Sequence, residues 1–447
     1  MSNRIFKVLP IAGAISAAIL SANVLAADGV VEEVAVKPTD VLTDGWNVNG
    51  YVRTAYRLTE NGTSTDNQFE KNNYGTAGTS AKSANQVEFT ITKKTTFGNG
   101  VWSDLVVRSE YGNGESHFRS SEGSEDNDDK GGFEVKEAFI KLGGMSYLPE
   151  GSEIWAGRRF LNRSAGLISG EFWKQSSGVG GGFEKDRNGI AVVSADPKGG
   201  DSGYRKTLTS LDLYSYGHNA LGGSFDLDAK FMFQGNSDKV EDDNADAPTK
   251  GVALSVTYNR DYYGLDGWSQ TALAYGKGLS GSGVNFGSWT PGTSSNDDAK
   301  NMLFTSYGVM NINDRWQMGS EVTYLKGENI WGLTGGVGKA DQVERMLIAV
   351  RPTYKVNTNF RMEFTGAFGR QKFNQDTNAW SAPEVSKFYT AEIAGVFTVN
   401  SDYFGRPQIK PFVTYLVNDN TSDTGWGNEF DGDKDVIQFG VEAEIWF

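Results

Sequence analysis

The last eleven residues, Ile437 to Phe447 (I-Q-F-G-V-E-A-E-I-W-F), alternate with a period of two. Ile437, Phe439, Val441, Ala443, Ile445 and Phe447 are apolar or small, and Gln438, Gly440, Glu442, Glu444 and Trp446 stand between them. Successive side chains of a strand point to opposite faces, so the two sets look opposite ways. About ten residues so patterned is the length that crosses a bilayer as one strand of a tilted barrel. A half-buried strand of a soluble sandwich carries the same alternation, so the decision falls to the rest of the chain.

The pattern recurs. Trp46, Val48, Gly50, Val52, Thr54, Tyr56 and Leu58 form one face of a strand whose other face is Asn47, Asn49, Tyr51, Arg53, Ala55 and Arg57. Phe225, Leu227, Ala229, Phe231 and Phe233 oppose Ser224, Asp226, Asp228, Lys230, Met232 and Gln234. Val252, Leu254, Val256 and Tyr258 repeat it, as do Trp316, Met318, Val322 and Tyr324, and Phe360, Met362, Phe364 and Phe368. Strand-like segments also lie near 133–142, 153–160, 188–194 and 207–216. Gly98-Asn99-Gly100 is a hairpin turn signal, whereas 59–84 and the acidic stretch around Glu125–Asp129 read as long solvated loops. Trp268, Trp316 and Tyr415 fall at segment ends, where an interfacial aromatic girdle places them.

The chain has 447 residues, 38 % of them hydrophobic, and no run of twenty apolar residues beyond its N-terminus. A membrane barrel needs apolar residues only at alternate strand positions, and polar loops dilute the average. Nothing divides 46–447 into separate domains, and about sixteen to eighteen strands of bilayer length fit there. The expected fold is all-β: one closed, antiparallel transmembrane barrel wide enough for an aqueous channel. Residues 1–26 read as a secretory signal, with Arg4 and Lys7, an apolar stretch from Val8 to Leu20, and Val24-Leu25-Ala26 before the cleavage point. Removing those two basic residues takes the formal net charge from −14 to −14 − 2 = −16. Residues 27–45 read as a short polar leader.

Catalysis finds no support. Cysteine is absent and His117 and His218 are the only histidines, which excludes disulfides and thiolate chemistry and leaves no His-based triad or metal centre. The acidic balance argues against nucleic acid as a partner. Gly178-Val179-Gly180-Gly181-Gly182 lacks the Lys-Ser/Thr of a phosphate loop, and Asp431, Asp433 and Asp435 lack the Gly and distal Glu of a calcium loop. No catalytic residue, metal or cofactor is expected. One segment stands apart. Leu161 to Lys185 alternates cleanly neither as strand nor as helix and mixes Phe172 and Trp173 with Arg163, Glu171, Lys174 and many glycines. Folded into a wide barrel, it would narrow the pore, with ring faces to stack on sugars and charges to bond hydroxyls. As an external loop it would do neither.

Gly151-Ser152-Glu153-Ile154-Trp155-Ala156-Gly157-Arg158-Arg159-Phe160 and the segment after it resemble the maltoporin family of outer-membrane sugar porins. So do Gly50-Tyr51-Val52-Arg53, Gly276-Lys277-Gly278-Leu279-Ser280, Val350-Arg351-Pro352-Thr353-Tyr354-Lys355 and Glu444-Ile445-Trp446-Phe447, in family order from about residue 48 to 447. The resemblance implies about eighteen strands, an inward-folded constriction loop and a homotrimer in the bacterial outer membrane. It also implies passive diffusion of maltose and maltodextrins along an aromatic slide flanked by ions. By position, Tyr51 and Trp446 resemble slide residues. Arg53, Lys136 and Arg163 resemble basic residues that bond sugar hydroxyls, with Lys136 standing where the family usually has Arg. Phe172 resembles the constriction tyrosine without its hydroxyl.

This chain also departs from the family. Glu88 stands about where another slide tyrosine is expected, no slide aromatic occurs around Glu344-Arg345-Met346, and the second loop lacks the family's Trp, with Phe118 as a substitute. The expected function is a carbohydrate channel with oligosaccharide, outer-membrane lipid and its own copies as partners. The alternatives are a general diffusion porin, a porin for sucrose or another glycoside, and a secreted β-rich lectin or adhesin.

Overall fold

The computed structural model describes residues 41–60, 77–79, 85–111, 133–195, 205–236, 249–280, 298–331, 339–375, 385–419 and 434–447. The expected signal, most of the leader, the acidic run at 125–129, Phe118, Asp431 and Asp433 lie outside them.

Eighteen strands follow one another. They are β1 Val41–Thr59, β2 Asn85–Phe97, β3 Trp102–Tyr111, β4 Phe133–Gly143, β5 Ser152–Ala165 and β6 Phe172–Lys185. Next come β7 Asn188–Ala195, β8 Arg205–Ala220, β9 Gly223–Asn236, β10 Lys250–Tyr262, β11 Leu265–Gly278 and β12 Lys300–Asn311. The ring ends with β13 Trp316–Trp331, β14 Lys339–Asn357, β15 Phe360–Gln375, β16 Val385–Thr398, β17 Gln408–Asn418 and β18 Asp435–Trp446. Each pairs antiparallel with its chain neighbours, and β18 returns to β1 to close the barrel. Closure leaves no sheet edge that would need water inside a bilayer. At this strand number the interior is too wide for side chains to fill.

Two strand bounds differ from expectation. The first strand begins at Val41, so its first residues lie in the stretch read as leader. The segment 161–185 is mostly strand: β5 runs to Ala165 and β6 starts at Phe172, leaving only 166–171 as loop. Irregularities at Phe160/Asn162 and Ser164/Ala165 break the period of two, which is why the sequence showed no clean alternation there. The glycines of β6 have a packing reason. A Cβ on Gly182 would lie 2.5 Å from Trp155 Nε1, so small residues make room for that buried ring.

The two faces of the wall have opposite character. Ile393, Val413, Ile437, Phe439 and Val441 point outward and are exposed, while Glu392, Thr414, Gln438 and Glu442 alternate with them and are buried toward the lumen. So large an apolar belt on the outer surface is the surface a bilayer covers. Aromatic pairs edge the belt near the short turns: Trp316 beside Tyr354 at 4.9 Å between ring centroids, Phe360 beside Phe397 at 5.0 Å and Phe225 on Tyr258 at 4.5 Å. Trp268 does not belong to this girdle. It shares a face with Gln270, Ala272 and Ala274 against lumen-facing Tyr307, Thr305 and Leu303, and so projects inward. At Gly98–Val101 the chain turns as expected, with Gly100 at φ +84°.

Candidate pore and constriction

The β5–β6 loop folds into the barrel. Trp173 anchors one side of it, 3 % exposed, in a socket of Ala253, Ala272, Ala274, Leu303 and Leu325. Its indole Nε1 donates to Tyr307 Oη at 3.3 Å. The alanines of β10 and β11 are small where this ring arrives. Farther along β6, Lys174 pairs with Asp228, Ser176 Oγ donates to Asp212 Oδ2 at 2.5 Å, and Lys230 Nζ donates to Ser176 Oγ at 2.7 Å. The loop tip reaches β13 and β14, eight and nine strands on from β5 in a ring of eighteen. There Ile168 is fully buried against Leu347 and Ala349.

A second segment enters from the β1–β2 connection. Ala77, Gly78 and Thr79 are buried in the lumen, where Gly78 N donates to Ile168 O at 3.2 Å. Ala77 packs in the same cluster as Ile168.

At the constriction, the Arg163 guanidinium carbon lies 4.5 Å from the ring centroid of Phe160 and 4.5 Å from that of Phe172. Phe172 is 37 % exposed. Arg163 Nε is buried and has no hydrogen-bond partner among the described residues. Arg108 also approaches Phe160, pairs with Glu88 and lies 3.7 Å from Glu137 Oε2. Two expected basic residues are engaged elsewhere. Arg53 is 2 % exposed, its Nε donates to Glu442 Oε2 at 2.7 Å and its Nη2 to Thr79 O at 3.3 Å. Lys136 sits at a β-bulge in β4, where its Nζ donates to Glu134 Oε2 at 2.5 Å.

Beyond the constriction the two expected slide residues meet. Tyr51 and Trp446 are register partners on β1 and β18, and Tyr51 pairs on its other side with Glu88. Trp446 is 48 % exposed to the lumen. Glu444 gathers the polar groups around it. It accepts from Tyr51 Oη at 3.1 Å, from Arg406 Nε at 2.6 Å and from Gln408 Nε2 at 2.8 Å. The Arg406 guanidinium lies 5.0 Å from the Trp446 ring centroid.

Residues 399–407, between β16 and β17, also fold inward. Tyr403 N donates to Gln317 Oε1 at 2.8 Å, and Phe404 lies 6.1 Å from Trp268 between ring centroids. A cavity of about 260 Å³ opens between the constriction loop and this ring of residues, bounded by Trp268, Phe404, Trp446, Arg406, Lys410 and Glu444. It leads toward a larger vestibule of about 1040 Å³ at the short-turn mouth, lined by Asp266, Asn311, Lys355 and Asp402 among others.

Phe404 and Arg406 were not singled out from the sequence, and Trp268 was assigned to the outer girdle instead of the lumen. For Trp268 a signal existed: it has the parity of Ala272 and Ala274, opposite to Leu273 and Tyr275. Phe404 and Arg406 sit in an irregular turn, where parity gives no direction.

The LamB porin family matches residues 46–447. A maltoporin of Vibrio cholerae serotype O1 is 26 % identical over 423 residues, covering 89 % of this chain and 94 % of that protein. Maltoporin 1 of Aeromonas salmonicida is 23 % identical over 335 residues, covering 70 % of this chain and 73 % of that protein. Among solved structures, Acinetobacter baumannii OccAB4 superposes with a TM-score of 0.46 and 10 % identity, over 92 % of this chain and all of that one.

Proposed function

Since the chain belongs to the LamB porin family, a barrel of the bacterial outer membrane, we propose that it is a channel for facilitated diffusion of oligosaccharides of the maltodextrin type. Its working form in this reading is a homotrimer, each protomer with its own pore. The observation that carries the proposal is the surround of Trp446. An exposed indole face stands in the lumen beside an arginine and a carboxylate, Glu444, that accepts hydrogen bonds from that arginine and from a tyrosine hydroxyl. A pyranose offers the matching surfaces, with C–H groups for the ring and hydroxyls for the ions. Arg163 with Phe160 and Phe172 provides a second station of the same chemistry at the constriction. Successive loose stations suit transport, because a sugar must leave each as readily as it arrives.

Arg53 has a structural part in this proposal: it fastens β1 to β18 and to Thr79. Trp268, Phe404 and Arg406 join Tyr51, Phe172 and Trp446 as groups that meet the sugar.

A reading toward sucrose or another short glycoside has its own support. Glu88, beside Tyr51, carries no ring and pairs with Arg108, and of Glu344-Arg345-Met346 on β14 the residue on the buried, lumen-side parity is Arg345. The interrupted row favours shorter ligands.

Single-channel current in a planar bilayer tests both, with maltohexaose titrated first and sucrose second. Saturable block is the expected result, and the sugar that blocks at lower concentration names the preferred class. Current untouched by either sugar would leave general diffusion as the function. No conductance from folded protein would overturn the channel reading altogether.

A further inference from the structure

Two carboxylates on the barrel wall, Glu321 on β13 and Glu392 on β16, are 1 % and 3 % exposed, and neither bounds the cavity beside Trp446. Both are turned onto backbone of the infolded segments. Glu321 Oε2 accepts from Ile168 N at 2.6 Å and Ser169 N at 3.0 Å, and its Oε1 accepts from Ser169 Oγ at 2.6 Å. Glu392 Oε2 accepts from Thr79 N at 2.8 Å and Thr414 Oγ1 at 2.9 Å, and its Oε1 accepts from Thr79 Oγ1 at 3.0 Å. Thr79 O in turn accepts from Arg57 Nη2 at 2.9 Å.

We infer that Glu321 and Glu392 are positioning residues that set the aperture of the pore, by holding the β5–β6 loop and residues 77–79 as one hydrogen-bonded unit. Ile168 is the link. Its N–H goes to Glu321 while its carbonyl accepts from Gly78, the neighbour of the residue that Glu392 holds. Loop backbone carried into a lumen leaves donors that strand pairing cannot satisfy. A buried carboxylate satisfies two or three at once, with charge-assisted bonds. Close approach is part of the device. A Cβ on Gly166 would lie 2.1 Å from Glu321 Oε1, and one on Gly78, at φ +93°, would lie 3.0 Å from Glu392 Oε2. Glycine lets each segment seat against its carboxylate.

The inference stands on the barrel and its infolded segments, not on the sugar, so its test uses salt alone. Single-channel current is recorded for Glu321→Gln, Glu392→Gln and the double variant, after heat-modifiable migration on a gel has shown each barrel intact. Glutamine turns an amide N–H₂ toward loop donors. Each single variant is expected to raise the population of the released loop about tenfold or more, as for loss of a buried charge-assisted hydrogen bond, read as higher mean conductance and open-channel noise. The effect of the double variant is expected to exceed that of either single variant but to fall short of the sum of the two, because the segments share Ile168. If a wall variant fails to assemble, Gly166→Ala unseats the loop from its own side without altering a strand, with the same expected sign. Wild-type conductance and noise in the variants that fold overturn the inference. Strictly additive effects overturn its claim of a shared unit.

Discussion

Tyr51 stands directly opposite Trp446 across the seam that closes the barrel, and the Tyr51 hydroxyl donates to Glu444, which also binds the arginine lying against the indole. Closure of the fold and assembly of the proposed sugar platform are therefore one event. The two residues lie at opposite ends of the chain and face the same lumen only because β18 pairs with β1 in this register.

Trp446→Ala is expected to raise the half-blocking concentration of maltohexaose about fivefold to tenfold, from loss of ~1 kcal/mol of ring-face contact. Tyr51→Phe keeps its ring but releases Glu444, so a smaller rise is expected. Bilayer titration reads both. An unchanged block in Trp446→Ala would remove this ring from the sugar path.

Arg163 lies between two phenylalanine rings. Replacing it with lysine keeps the charge and loses the planar stack. Arg163→Lys should therefore weaken sugar block nearly as much as Arg163→Ala does. Both should leave gel migration of the folded barrel unaltered. Block by the lysine variant equal to wild type would show that charge alone is used.

Glu88 is the register partner of Tyr51, which is itself the partner of Trp446. A ring at position 88 would extend the row by one strand. Glu88→Tyr is expected to favour maltohexaose over sucrose by several-fold relative to the parent, at ~0.5–1 kcal/mol for an added stacking face. Comparison of the two titrations measures this, and an unaltered ratio would argue that sugar does not lie along this row.

Glu442 is 2 % exposed and binds Arg53, with Lys410 Nζ 3.2 Å from its other oxygen. Glu442→Ala removes the carboxylate that Arg53 binds and leaves Lys410 only Glu363 Oε2, 3.9 Å away, at a cost of about 3–5 kcal/mol. The expected consequence is a barrel that loses its heat-resistant gel form at a clearly lower temperature. Retention of the parental unfolding temperature would mean that the seam does not depend on this pair.

The facing of the side chains was legible in the chain itself. Gln438, Glu442, Glu444 and Trp446 turn to the lumen while Ile437, Phe439 and Val441 turn out, as the alternation requires. The same holds for Tyr51 against Val52 and for Asp228 against Leu227. A strand's pleat is a property of its covalent backbone, so parity alone assigns each residue a side. The apolar side then belongs to lipid, because eighteen strands enclose a wet interior. Only the tertiary structure decided which lumen residues meet. Arg53 and Arg163 have the same chemistry in the sequence. The first is locked onto Glu442 across the seam, and the second is left between two rings at the constriction. Trp268 and Phe404 come together because an irregular turn folds inward, and Glu321 meets Ile168 because a loop reaches eight strands around the ring. Those contacts depend on closure and on where loop backbone finds its hydrogen bonds, and neither is encoded in any local period.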